Sequence, residues 1–253
     1  MISLRDFRID DKFSFVCASS SKGVQKKYLK DGWYYKVDVE GFEGVREWLV
    51  SQILECSSLP PGSYVPYEVC SINGKQGCRS YNFLDANESF VSMGRLYTMI
   101  TGKRSLADYL ATLADAKERL DYVLSLVSGL ADTEQFKEYL CRMLQLDMLI
   151  ENTDRHEFNY GLVATDSGYR VAPIFDNGDC LKDGSPCTLC GSFFSQVTVF
   201  GFPVQPAFTI NYRKLLNTLE LSEFNDLQFT KRLRKNLKEY EYLFGNTKQM
   251  NLF

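Results

Sequence analysis

At 253 residues with 45% apolar content, the chain is long enough to bury a core, either in one large domain or in two lobes sharing a cleft. A formal net charge of −3 supplies no global basic field, so neither nucleic acid nor an anionic membrane surface is an expected partner. No apolar run reaches the roughly 18 residues of a membrane helix, and Arg5, Asp6, Arg8, Asp10 and Asp11 stand where a cleaved signal peptide would carry its apolar core, so a cytoplasmic protein is expected, with export without a cleaved signal left open.

The first third reads as β-rich. Residues 13–18 form a short apolar strand, "SSSKG" at 19–23 is a loop, and Asp31-Gly32 sits between two aromatic-rich segments as the turn of a hairpin. Lys36 falls on the returning strand. Phe42, Val45, Trp48, Leu49 and Ile53 recur at helical spacing and place Glu43 and Glu47 one turn apart on one side of a helix that ends at "LPPGS". A second hairpin turns at Asn73-Gly74, with Pro66 marking its first strand as edge or bulged.

After about residue 86 the pattern turns helical. Apolar stripes run through 88–100, 105–113, 116–130 and 133–152, the last capped by Asp132 or Thr133. The loop "NTDRHEFNYGLV" follows, then a third hairpin around Asp166-Ser167-Gly168 and helices at 211–219 and 226–245. In the last of these, Lys231, Arg232, Arg234, Lys235 and Lys238 alternate with Leu233 and Leu237 as an amphipathic surface helix. The expected fold is α+β with segregated elements, a bilobal arrangement with an N-lobe at 1–85, a helical C-lobe at 86–253 and a hinge within 80–89. The eight cysteines are irregularly spaced and read as reduced thiols, and Cys187/Cys190 lacks the further ligands a zinc site needs.

Asp154 and Asn159 lie five residues apart, and Asp176 follows seventeen later, after a hairpin that returns the chain to the same end. Phosphoryl transfer requires such parts: one carboxylate for the attacking hydroxyl, and an Asn with a second carboxylate to hold magnesium. It also requires a strand lysine, a helix glutamate and a loop over the phosphates. Along the chain, Ser19, Ser20, Ser21, Lys22 and Gly23 come first as the loop, then Lys36, then Glu47 or Glu43, which is the order such a site needs.

"NTDRHEFNYGLV" and the later "YRVAPIFDNGDCL" resemble the TDxHxxN loop and PxYD metal motif of HipA-like serine/threonine kinases, and are most similar to the compact stand-alone members. The DRHxxN core is also similar to the catalytic loop of phosphoinositide kinases. The resemblance implies a protein-kinase-like fold, with Asp154 as the catalytic Asp and Asn159 and Asp176 as magnesium ligands. His156, two residues from Asp154 on a loop that must be held rigid, reads as a brace for that loop, with direct proton transfer as the alternative. The resemblance further implies that Lys36 binds phosphate with Glu47 as its ion-pair partner, that Ser19–Gly23 is the nucleotide loop and a site of autophosphorylation, and that Asn82, Phe83 and Leu84 face adenine. ATP and Mg2+ would be the cofactors, and a protein bearing Ser or Thr hydroxyls the substrate. Larger HipA toxins carry a lysine where Phe158 stands and an extra N-terminal subdomain for which this chain is short, so pairing with an antitoxin lacks support. A lipid or small-alcohol kinase, and a nucleotide-binding pseudokinase acting as an interaction module, are the alternatives.

Overall fold

The computed structural model describes residues 4–15, 25–152, 154–182 and 207–244. Among these, two sheets and seven α-helices form an α+β fold. The nucleotide loop proposed at Ser19–Gly23 and the Cys187/Cys190 pair lie outside the described residues.

The first sheet contains β1 (Asp6–Phe7), β2 (Ser14–Phe15), β3 (Lys27–Lys30), β4 (Trp33–Val37), β5 (Glu68–Ile72) and β6 (Lys75–Tyr81), in the order β1-β5-β6-β4-β3-β2. Its two tight hairpins form where the Asp-Gly and Asn-Gly pairs demand them. Asp31 and Gly32 adopt φ of 51° and 77°, and Asn73 and Gly74 adopt 51° and 79°, the left-handed pair that matches the twist of the flanking strands. Pro66 stands just outside β5, which begins at Glu68 and is covered over Ser71 and Ile72 by the parallel β1. Nothing in the charged N-terminal residues signals that strand.

Helix α1 (Glu43–Glu55) packs against β6 across two glycines. A Cβ on Gly44 would stand 2.6 Å from the Gly77 carbonyl carbon, and one on Gly77 would stand 2.1 Å from the Lys36 carbonyl oxygen. Gly77→Ala is therefore expected to force β6 away from β4 at Lys36 and cost about 3 kcal/mol, roughly 6–12 °C in a thermal melt. A melt unchanged from wild type would refute that close approach. Glu43 does not pair with Lys36. Its carboxylate instead accepts from the backbone N–H groups of Val39, Glu40, Gly41 and Phe42 at 2.7–3.1 Å, binding the preceding loop to the helix start. Burial pushes the Glu43 carboxyl up, and these amides outweigh it and bring it below its ordinary range. Its contribution to stability is thus present at neutral pH and lost as pH falls through the lowered value. Glu43→Gln should lower the melting temperature by about 3–6 °C near neutrality, with the gap closing on acidification. A gap that widens in acid would contradict the assignment.

Residues 82–88 pass from β6 to the second sheet, built from β7 (Ser89–Ser92), β8 (Gly161–Thr165) and β9 (Gly168–Val171) in that order. The expected helix over 88–100 is corrected here: its first part is β7, and α2 (Met93–Thr101) starts only after Ser92, whose hydroxyl accepts from Arg95 N–H as the N-cap. The strand arises because β8 arrives seventy residues later to pair Ser89 with Ala164 and Ser92 with Gly161. The approach is tight enough that a Cβ on Gly161 would stand 2.3 Å from the Val91 carbonyl oxygen.

The remaining helices are α3 (Leu106–Ala111), α4 (Ala116–Val127), α5 (Thr133–Ile150), α6 (Tyr212–Leu221) and α7 (Gln228–Phe244). Asp132 caps α5 by accepting from Glu134 and Gln135 N–H. One core cluster joins Val45, Leu49 and Ile53 of α1 to Leu140, Met143 and Ile150 of α5, Leu215 and Leu219 of α6, and Leu233 and Leu237 of α7. Ring pairs Phe42–Phe229 and Trp48–Phe224 add to that seat, so α1 is packed against the C-terminal helices as well as its own sheet. The basic run of α7 buries its leucines and exposes Lys231, Lys235 and Lys238, while Arg232 turns back to Glu151. The described cysteines 56, 70, 78, 141 and 180 are free thiols. No helix among the described residues is long and apolar enough to cross a membrane.

Candidate active site

Lys36 is buried on β4, and its ammonium donates to Glu47 Oε1 at 2.9 Å and to Asp176 Oδ1 at 2.6 Å. Tyr67 lies beside it, with the hydroxyl at 3.4 Å and the ring centroid at 4.8 Å. Burial alone would discharge such a lysine, but the Asp176 and Glu47 carboxylates raise its pKa well above the ordinary value, so it stays cationic. Burial likewise pushes the Asp176 carboxyl up, and the charges of Lys36 and Lys27 outweigh it and hold it well below the carboxylate range. The second Glu47 oxygen accepts from Asn177 N–H at 2.9 Å, so one α1 side chain fixes both the strand lysine and the residue after Asp176.

The facing loop is built off the end of α5. Glu151 adopts a left-handed φ of 49° and ends the helix, and Asn152 turns back to Asp147 through its Nδ2 at 2.9 Å while its Oδ1 accepts from Asp154 N–H at 3.0 Å. Asn159 donates from its backbone N–H to the His156 carbonyl at 2.9 Å and from Nδ2 to the Asp154 carbonyl at 3.0 Å. His156 Nδ1 accepts from Phe158 N–H at 3.2 Å, and the two rings meet edge to face at 5.8 Å. Burial pushes the imidazole pKa down, so the ring is neutral and works as an acceptor within the loop. The loop rests on α2, where a Cβ on Gly94 would stand 2.8 Å from both Glu157 Cγ and Phe158 Cε1. Glu157 anchors it further by accepting from Leu106 and Ala107 N–H at the start of α3.

Between Asp154 and His156 sits Arg155, fully buried, with two hydrogen bonds of 2.9 Å to Asp147 on α5. It also donates to the Phe175 carbonyl at 2.8 Å and to Asn177 Oδ1 at 2.6 Å. Sequence reasoning passed over this network. Its signal was present: Asp147 interrupts the apolar stripe Leu140, Met143, Leu144, Ile150 of α5, and a buried carboxylate demands a partner.

The lysine cluster and the facing loop line one cleft of about 490 Å³, behind which the Arg155 network lies buried. Asp154, His156, Asn159, Asp176, Lys36, Lys27 and Lys182 make up its polar and charged lining. Phe83, Phe90 and Phe175 make an apolar wall, with ring centroids 5.1–6.1 Å apart, together with Val65 and Leu84. Phe90 was missed because its strand was read as helix. Asn82 is not among the lining residues: its N–H donates to the Gly32 carbonyl and its Oδ1 accepts from Leu84 N–H, so it shapes the connection instead. Phe15 and Gln25, which flank the segment containing Ser19–Gly23, both line the cleft. Lys182 also lines the cleft and bridges two further lining carboxylates, Glu40 and Asp179.

The donor chemistry fits magnesium. Asp176 offers a carboxylate, and the Asn159 amide, whose nitrogen is committed to the Asp154 carbonyl, has its oxygen directed elsewhere. Among the described residues no three His, Cys, Asp or Glu side chains converge as a self-sufficient metal centre. Magnesium needs none, since it takes one or two protein oxygens and completes its shell with phosphate and water. The pairing of an apolar aromatic end with a cationic and carboxylate end likewise suits a nucleotide, whose base and phosphates differ in the same way.

No protein-family model and no curated protein matches the chain. Among solved structures, it is similar to the Helicobacter pylori proinflammatory kinase CtkA, with a TM-score of 0.62 and 17% identity over 99% of both chains. It is also similar to HipA of Shewanella oneidensis MR-1, solved with HipB and its operator DNA, with a TM-score of 0.52 and 12% identity over 94% of this chain and 67% of that one. The order of strand lysine, helix glutamate, Asp154–Asn159 loop and later aspartate is thus carried on a HipA-like, bilobal kinase fold.

Proposed function

We propose that the protein is an ATP- and magnesium-dependent kinase that transfers the γ-phosphoryl group of ATP to Ser or Thr hydroxyls of a protein substrate. The observation that carries this reading is Lys36, held between Glu47 and Asp176 in a cleft whose other wall presents Asp154 and Asn159. The aromatic end takes the adenine, against Phe83, Phe90 and Phe175. Lys36 turns its ammonium to the α- and β-phosphates, and Glu47 keeps it aimed. Asn159 and Asp176 would hold magnesium, which when bound supplies charge neutralisation on the transferred group. Asp154 orients the substrate hydroxyl and accepts its proton as the new O–P bond forms and the bond from the γ-phosphorus to the β-bridging oxygen breaks. His156 and Arg155 touch no reacting atom in this scheme and keep the loop in place.

Lys36 bonds directly to Asp176, so binding a magnesium nucleotide must replace that contact. ATP affinity should therefore depend on magnesium by about tenfold or more, and Asp176→Asn should remove most of that dependence. Calorimetric titration of ATP with magnesium and with chelator checks this. Equal affinity in both conditions would refute the metal role. His156→Ala is expected to lower turnover by about tenfold through a looser loop while leaving ATP affinity within about threefold. An unaltered rate would show that the loop needs no brace.

A further inference from the structure

We infer that Arg155 is the positioning residue that sets Asp176, and that it does so by clamping the residues on both sides of it, through the Phe175 carbonyl and the Asn177 side chain. The inference rests on the kinase reading for its catalytic consequence, but its structural part stands alone. Asp176 has a φ of 60°, in the left-handed region that Asp enters more readily than most residues with a Cβ but still at a cost relative to the right-handed region. The residue before it and the residue after it are both held by one guanidinium, at the Phe175 carbonyl and at Asn177 Oδ1. That guanidinium is itself fixed bidentately to Asp147, which also anchors Asn152 and through it the Asp154 backbone. A single planar group thus ties the Asp154 backbone and both neighbours of Asp176 into one frame. Lysine cannot replace it, because a point-like ammonium lacks the rigid fork needed to hold Asp147, the Phe175 carbonyl and Asn177 together.

The inference is tested with Arg155→Lys and with Asn177→Ala, which removes one arm of the clamp while leaving the buried Arg155–Asp147 pair and the Asn177 N–H bond to Glu47 in place. Crystal structures of the nucleotide-free variants should show Asp176 out of the left-handed region and its contact with Lys36 lost. ATP affinity in chelator should stay within about threefold of wild type, while the gain on adding magnesium falls by about tenfold or more. Should Arg155→Lys fail to fold, Asn177→Ala decides the matter by the same readouts. The inference is overturned if Asp176 keeps its conformation and contact in the variants. It is also overturned if affinities with and without magnesium fall together, as they would for a residue that only stabilises the fold. Should wild type bind no ATP at all, the kinase reading fails, and the crystallographic comparison still decides whether Arg155 sets Asp176.

Discussion

Asp154→Asn is expected to lower phosphoryl transfer by about a thousandfold or more while leaving the affinity for ATP with magnesium within about threefold. The size follows from the loss of a proton acceptor on the attacking hydroxyl, a contribution of about 10²–10⁴, together with the loss of its orientation. The selectivity follows from the local geometry. The backbone of residue 154 is tied into its loop by its N–H to Asn152 Oδ1 and its carbonyl to Asn159 Nδ2, and the isosteric amide leaves both of these bonds in place. Asn159 therefore keeps its orientation, and the proposed metal and nucleotide contacts are expected to survive. Kinetics and calorimetry on the same preparation separate the two effects, and a variant with wild-type turnover would remove Asp154 from the mechanism.

Glu47→Ala should damage both stability and turnover. Glu47 is 2% exposed, and its two oxygens satisfy the Lys36 ammonium and Asn177 N–H. Removing the carboxylate leaves a buried cation with Asp176 as its remaining ion-pair partner and leaves a buried amide without its acceptor. Breaking a buried pair from one side costs about 3–5 kcal/mol, which lowers the melting temperature of a chain this size by about 10 °C. Lys36 is then drawn further onto Asp176, away from the proposed phosphate position, and turnover should fall by about a hundredfold. Glu47→Gln keeps an acceptor for one of the two donors and should lie between. A thermal melt and steady-state rates measure both, and a Glu47→Ala variant as stable as wild type would mean that the lysine does not depend on α1.

Much of this arrangement was legible in the residues because its causes are local. Asp31-Gly32 and Asn73-Gly74 specify their turns through the backbone they permit, and these turns place Lys36 on β4 and fix the register of β5 against β6. The α1 stripe reads directly as a helix, which puts Glu47 where it can reach a strand lysine. What could not be read depends on partners distant in the chain. Residues 89–92 become a strand because β8 pairs with them, while Met93, Leu96 and Tyr97 beyond them share the helical period that masked the change. The two-residue β1 exists through its parallel pairing with Ser71 and Ile72. Glu43 and Glu47 look alike in sequence, and only the loop folded over α1 takes Glu43 out of contention by giving it four amides. Arg155 and Tyr67 gain meaning from Asp147 and Lys36, which meet them through tertiary packing.

The central claim is that this cleft moves the terminal phosphoryl group of ATP to a hydroxyl. The most direct test incubates the purified protein with γ-labelled ATP and magnesium, alone and with protein acceptors, and then identifies the labelled amino acids. The account predicts label on serine or threonine that disappears with chelator and with Asp154→Asn. Label transfer that persists in Asp154→Asn, or none in wild type under conditions where ATP binds, would contradict it.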